Sequence, residues 1–359
     1  MIPETSAAEA FPPRVGGRIP SLDGLRAVAI LVVIESHLTG STYQLPILGT
    51  GQFPLRFMLG KLGVRIFLVI SGFLITTLLL KEHDKSGRIS LREFYIRRAL
   101  RILPASYTYV LIMGLATALG MVAIPRSSLV ASIFYFRNYY VNRDWYTDHL
   151  WSLSIEEQFY LLWPAAMVLL GRRRALVVAL CTLPLASLVR LVDPKRTFET
   201  NMDVLACGCI LALAWGLLGQ NDRWQRFLRS PLFWVIPIVI LASTKLKAVG
   251  GASEAIGIGV ANVLIAVSVE RFVRYYNLGV AKVFNFRGAM IVGTLSYSLY
   301  LWQQPWIHHI DSRMQIFPIN ILLACICAVL SYILIERPFL RLRDRIKNGH
   351  LVAGTPVMT

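Results

Sequence analysis

The chain alternates long apolar runs with short polar segments. Ten of the runs are long enough to cross a bilayer as helices: residues 25–42, 57–80, 102–123, 151–170, 175–192, 203–219, 231–247, 254–271, 289–309 and 317–335. An eleventh patch, 128–136, is short and aromatic, and reads as an interfacial or re-entrant segment. The pattern predicts an all-α fold, a polytopic membrane helix bundle of about ten transmembrane helices. No internal repeat, low-complexity tract or soluble domain of useful size interrupts it.

Charge sets the orientation. With the N-terminus inside, the inner segments carry 24 Lys and Arg and the outer segments 7. This is the positive-inside asymmetry, and it predicts both termini in the cytoplasm. Counting 128–136 as a span would invert everything after it and put Arg172, Arg173 and Arg174 outside. The N-terminus lacks the basic region, apolar region and small-residue cleavage site of a signal peptide. Residues 1–20 are therefore expected to be a cytoplasmic tail, 21–340 the transmembrane domain, and 341–359 a basic cytoplasmic tail.

Composition changes the picture in two places. Of 359 residues, 55% are hydrophobic and 16% charged, with mean hydropathy +0.57, which excludes an ordinary soluble domain. The net charge of +17 would suit a nucleic-acid partner. Yet the cations lie mostly in short loops between apolar runs, so the expected partner is the lipid bilayer and no nucleic acid. The five cysteines, Cys181, Cys207, Cys209, Cys325 and Cys327, all fall in apolar runs without a C-x-x-C pair. They read as small buried residues, and no disulfide or metal site is expected.

Several spans carry groups that a plain spanning helix would not keep. In "SLDGLRAVAILVVIESHL" (21–38), Arg26 and His37 are eleven residues apart, about three turns and about 16 Å along one helix face. Titratable groups at membrane depth cost a few kcal/mol or more each. Arg26 alone suits a snorkelling anchor, and His37 alone a hydrogen bond between helices. Together on one face they suit a site, because an imidazole titrates near neutrality and can act as a base. Glu35 faces away from Arg26, as a structural group or as lining of a water-filled cavity. In "GVRIFLVISGFLITTLLLKE" (63–82), Ser71 and Gly72 give close helix packing, and small residues would also admit a thin cofactor arm. Arg65 is a second intramembrane charge.

"REFYIRRALRILP" (92–104) presents Arg97, Arg98 and Arg101 at a helix start. They serve equally as positive-inside signals or as a phosphate site. "HLWSLSIEEQFYLLWP" (149–164) opens an apolar helix with His149, Trp151, Glu156 and Glu157. An aromatic belt and favourable dipole placement explain part of this. Adjacent carboxylates at membrane depth exceed what a helix start needs and suit the lining of a polar cavity. Asp203 heads another span, Gln303 and Gln304 lie in "GTLSYSLYLWQQP" (293–305), and Glu336-Arg337-Pro338 ends the tenth span as a cytoplasmic stop and possible ion pair.

The order D-G-x-R…H, G-V-x-x-F-x-x-x-S-G-F-L, R-R-x-x-R-I-L-P, H-x-W-S-L-x-x-E-E-Q-F-Y, D-x-L-x-x-G, S-Y-x-x-Y-L-W and E-R-P-F runs across nearly the whole chain. It resembles the acyltransferase-3 family of integral membrane acyltransferases, which modify bacterial surface polysaccharides. The resemblance implies transfer of an acyl group, acetyl being expected, from cytoplasmic acyl-coenzyme A to a hydroxyl of a carbohydrate or lipid-linked glycan acceptor. It implies a multi-pass protein of the bacterial cytoplasmic (inner) membrane. It makes His37 the base or nucleophile, with Arg26 and Glu156 as catalytic partners. Arg97, Arg98, Arg101 and Ser71 would bind the donor, and His149, Trp151 and Glu157 the acceptor. Two positions depart from the pattern: Gln303 stands where many members have His and is given no catalytic role, and Arg65 stands where many have an acid. A proton-coupled transporter or flippase, with buried Arg, His and Glu as a relay, is the competing class.

Overall fold

The computed structural model describes residues 11–38, 54–142, 144–193, 195, 197–245, 251–307 and 313–353. Parts of both expected tails, 1–10 and 354–359, and the end of the first expected span lie outside the described residues. All the principal elements are helices: α1 (Leu22–His37), α2 (Pro54–Ser86), α3 (Leu91–Ala118), α4 (Arg126–Ile133), α5 (Trp145–Asp148), α6 (Leu150–Val192), α7 (Met202–Gln220), α8 (Asp222–Arg229), α9 (Val235–Lys245), α10 (Gly251–Arg274), α11 (Arg287–Trp302), α12 (Ile319–Ser331) and α13 (Arg337–Ala353). Among the described residues, six helices are long and apolar enough to cross a membrane, and a bent pair, Asp222–Arg229 with Pro231–Ser243, makes a seventh candidate. The aromatic patch at 128–136 forms the eight-residue α4 and a turn, too short to span.

Local sequence explains where helices start, stop and break. Ser90 caps α3 by accepting from the Glu93 N–H, a capping-box spacing. Its other end closes at Gly120, whose φ of 72° lets Gly120 N–H reach Thr117 O and Met121 N–H reach Ala116 O. Inside α6, Gly171 has φ 69° and ψ 172°, so the 43 residues are two helices joined at a break. The break falls between the expected spans 151–170 and 175–192, with Arg172, Arg173 and Arg174 directly after it.

At Glu336-Arg337-Pro338, where the tenth span is expected to stop, the helix itself does not end. Residues 332–336 form a π-helical turn in which Arg337 N–H donates to Tyr332 O, and α13 continues to Ala353. The wider turn accommodates Pro338, which lacks an N–H. Glu336 is buried and accepts from Ser298 Oγ.

The chain divides into two compact units. The first holds the described residues to 36, then 54–89 and 155–294. Here α2 packs on α7 at paired glycines. A Cβ on Gly72 would meet Leu205 O at 2.1 Å, and one on Gly208 would meet Val69 O at 2.1 Å. Small residues let the backbones approach in this way. The second unit holds 37–38, the described residues of 90–154, and those from 295 onward. There α3 packs on α13 and on the π-helical turn.

In both units the usual polarity is inverted. Leu111, Leu115, Leu161, Leu169, Leu188 and Leu217 are exposed, whereas Asp203, Asn262, Glu270, Ser298 and Gln303 are fully buried. Apolar surface outside and polar groups inside mark a multi-pass membrane protein. The same inversion corrects the cysteine expectation. Cys207 and Cys209 are buried, but Cys181 and Cys325 are exposed on apolar helix surfaces. Apolar sequence alone does not separate core-facing from lipid-facing positions.

Candidate active site

His37 ends the described part of α1 and is half-buried in the second unit. Its Nδ1 lies 3.2 Å from Oε1 of Gln303, at the end of α11. An amide oxygen only accepts, so Nδ1 is the donor in this contact. The Trp145 ring meets the imidazole edge-on at 5.8 Å. Trp145 is itself clamped to Gln304: its indole N–H donates to Gln304 O at 2.7 Å, and Gln304 Nε2 donates back to Trp145 O at 2.8 Å.

Trp145 stands on α5, whose start is organised by Arg137. This fully buried side chain pairs with Asp144 at 3.0 Å, approaches Asp148 at 3.9 Å and donates to Thr147 Oγ1 at 3.0 Å. Asp144 also caps α5 by accepting from Thr147 N–H. Neither Gln303 nor Arg137 was expected in this role. The flanking acids of "DWYTD" are the only sequence cue to Arg137.

His149 is buried between Tyr109 and Tyr300, with ring centroids 5.4 Å away in each case, and is within electrostatic range of His37. Gln303 Nε2, Gln304 Oε1 and Trp302 Nε1 are buried with no hydrogen-bond partner among the described residues. Each unmade bond costs about 1–3 kcal/mol. Donors and acceptors gathered in this way suit a ligand rich in hydroxyl and carbonyl oxygens.

The remaining candidates fall into separate groups. In the first unit, Ser71 Oγ and Tyr160 OH both donate to Glu156 Oε1. Ser71 and Glu156 were expected to serve the donor and the chemistry separately, yet they are one hydrogen-bonded group with an unforeseen third member. Arg26 approaches Asp23 at 3.9 Å, and Asp23 also pairs with Arg18 at 3.0 Å. Arg97 pairs with Glu93 one turn earlier at 2.9 Å, while Arg98 and Arg101 are half-buried on the same helix. Trp151 and Glu157 are half-buried at the start of α6.

Residues 19–336 match the family model described as an acyltransferase domain, acyltransferase-3. The chain belongs to this family. Within the match lie all the residues of this candidate site except Arg18. A Staphylococcus aureus (strain COL) protein, named as a candidate O-acetyltransferase, is 32% identical over 365 residues. The O-acetyltransferase OatA of Staphylococcus aureus (strain NCTC 8325) is 30% identical over 361. Each similarity covers 89% of this chain and 57% of the relative, so the chain spans little more than half the length of these proteins. No solved structure matches it.

Proposed function

We propose that this acyltransferase-3 chain is a membrane O-acyltransferase that moves an acetyl group from cytoplasmic acetyl-coenzyme A to a hydroxyl of a surface or exported carbohydrate. The observation that carries the reading is the His37–Gln303 contact beside unsatisfied buried polar atoms, in a chain similar to proteins named O-acetyltransferases. His37 Nε2 takes the proton of the acceptor hydroxyl as that oxygen attacks the thioester carbonyl carbon. The carbon–sulfur bond then breaks, and the departing sulfur takes the proton back from the imidazolium. General-base help of this kind is worth about 10²–10⁴-fold.

Arg97, Arg98 and Arg101 bind the donor's phosphates at the cytoplasmic face, and His149, Trp151 and Glu157 bind the acceptor on the opposite side. The topology is ten spans with both termini inside. Counting α6 as two spans at Gly171 makes seven from the six long helices, and α1, the bent pair and α11 bring the total to ten. The setting is the bacterial inner membrane.

The test uses purified protein, acetyl-coenzyme A and a panel of sugar acceptors. Thioester consumption that depends on the acceptor, and is lost in His37→Ala, supports the reading. A transporter is the second reading, favoured by the hydrogen-bonded chain of Arg190, Asp203, Asn262 and Arg65. It predicts no thioester consumption under any acceptor.

A further inference from the structure

A second polar cluster lies wholly within the first unit and has no part in the chemistry above. Arg190, on the second half of α6, grips Asp203 of α7 with two bonds, Nη1 to Oδ1 and Nη2 to Oδ2, both 2.9 Å. Its Nη1 also donates to Thr200 O at 2.8 Å and its Nη2 to Ser187 Oγ at 3.0 Å. Asn262 of α10 is fully buried and donates from Nδ2 to Asp203 Oδ2 at 3.0 Å. A carboxylate only accepts, so this bond fixes the Asn262 amide and turns its oxygen outward along the chain. That oxygen receives Arg65 Nη1 at 2.8 Å.

The chain therefore ends on a guanidinium. Asp203 already holds Arg190, and Arg65 has one hydrogen bond to a neutral amide. Among the described residues no carboxylate lies within ion-pair distance of Arg65, although Asp203 and Glu254 act on it at longer range. Arg65 is half-buried, so part of its side chain stays accessible to a ligand. An intramembrane charge that is braced but not neutralised by contact is a functional group by default. The guanidinium fork fits a carboxylate or a phosphate with two bonds.

We propose that Arg65, held in place by Asn262, Asp203 and Arg190, binds an anionic group, carboxylate or phosphate, carried by the acceptor. Only the attribution of the anion to an acceptor rests on the acyltransferase reading. Anion binding itself does not need turnover.

The full chain in nanodiscs of zwitterionic lipid is unfolded thermally with glucuronate, inorganic phosphate, glucose or chloride at matched ionic strength. Ligands that bind the folded state raise the transition temperature. Glucuronate or phosphate should stabilise the protein, the better of the two naming the anion class, and glucose should not. In Arg65→Gln the apparent affinity should fall about tenfold or more, the scale of one charged hydrogen-bond partner, and Arg65→Lys should keep part of it. If Arg65→Gln does not fold, Arg65→Lys is compared with the parent for a weakened response. No stabilisation of the parent by either anion, or an undiminished response in the variants, overturns the proposal. A parent that binds the anion but consumes no thioester would refute the acyltransferase reading alone.

Discussion

Gln303 Oε1 stands 3.2 Å from His37 Nδ1, joining the two residues across 266 positions of sequence. In the proposed role of His37 as base, the amide oxygen holds the ring in place through Nδ1. Gln303→Ala should lower kcat about tenfold or more and leave the KM for donor largely unchanged, as expected of a positioning residue. Gln303→His, which restores the residue many family members carry, should recover much of the loss. A purely structural role would move melting temperature instead, and the imidazole substitution would bring no recovery of kcat.

Glu156 accepts from the hydroxyls of both Ser71 and Tyr160. Glu156→Gln keeps one acceptor oxygen and nearly the same shape. If the charge serves catalysis, this substitution should cut transfer about a hundredfold while donor binding persists. Measuring acceptor-dependent turnover and donor affinity on the same preparation separates the two effects. Full activity in Glu156→Gln would leave the group a structural one.

The bidentate Arg190–Asp203 pair is buried on both sides. Arg190→Ala strands Asp203 and should destabilise the protein by about 3–5 kcal/mol. Replacing both partners by apolar residues, Arg190→Met with Asp203→Leu, should cost less than the single change. Denaturation in mixed micelles checks the order, and a double variant worse than the single one would contradict this account.

What the sequence makes legible follows from what repeats locally. The break near Gly171 falls between two apolar runs, and Gly72 marks a close packing contact; the α3 cap at Ser90 and its end at Gly120, inside the expected span 102–123, are seen only in the structure. Ser71, Glu156, His37 and His149 stand out because polar groups in apolar runs are costly. Their partners do not stand out. Gln303 departs from the family pattern at that position, and Arg137 and Arg190 look like ordinary loop or span-end cations until folding brings acids to them. The π-helical turn at 332–336 is hidden for another reason: Pro338 signals an end, and only a tertiary contact such as that of Ser298 with Glu336 shows the helix passing through it.

Arg97, Arg98 and Arg101 are expected to hold the donor's phosphates, and Glu93 is already paired with Arg97. Replacing the three arginines by Gln should raise the KM for acetyl-coenzyme A about tenfold or more, with membrane insertion unchanged. Glu93→Gln releases a competitor for Arg97 and should leave donor affinity equal or tighter. Unaltered donor affinity in the triple variant would reduce these arginines to topology signals.

The two-sided arrangement makes a geometric prediction that needs no activity. The proposed orientation has the loop between α4 and α5 outside and the break at Gly171 inside. His149 itself is a poor reporter, because the structure buries it. Val141, in that loop, is 76% exposed and belongs to no helix. Arg173 is exposed just after Gly171 and stands for the opposite face. Each is changed to Cys in a background lacking the five native cysteines. An impermeant thiol reagent added outside intact cells should label Val141→Cys and spare Arg173→Cys, which should react only after lysis. The distance between these positions along the chain contains a single long apolar helix, 150–170, so one crossing separates them. Labelling of both positions from the same side would remove that crossing, and with it the placement of donor and acceptor on opposite faces. Reversed labelling would keep the crossing and invert the whole topology, putting Arg97, Arg98 and Arg101 on the outside, where acetyl-coenzyme A is not supplied from the cytoplasm.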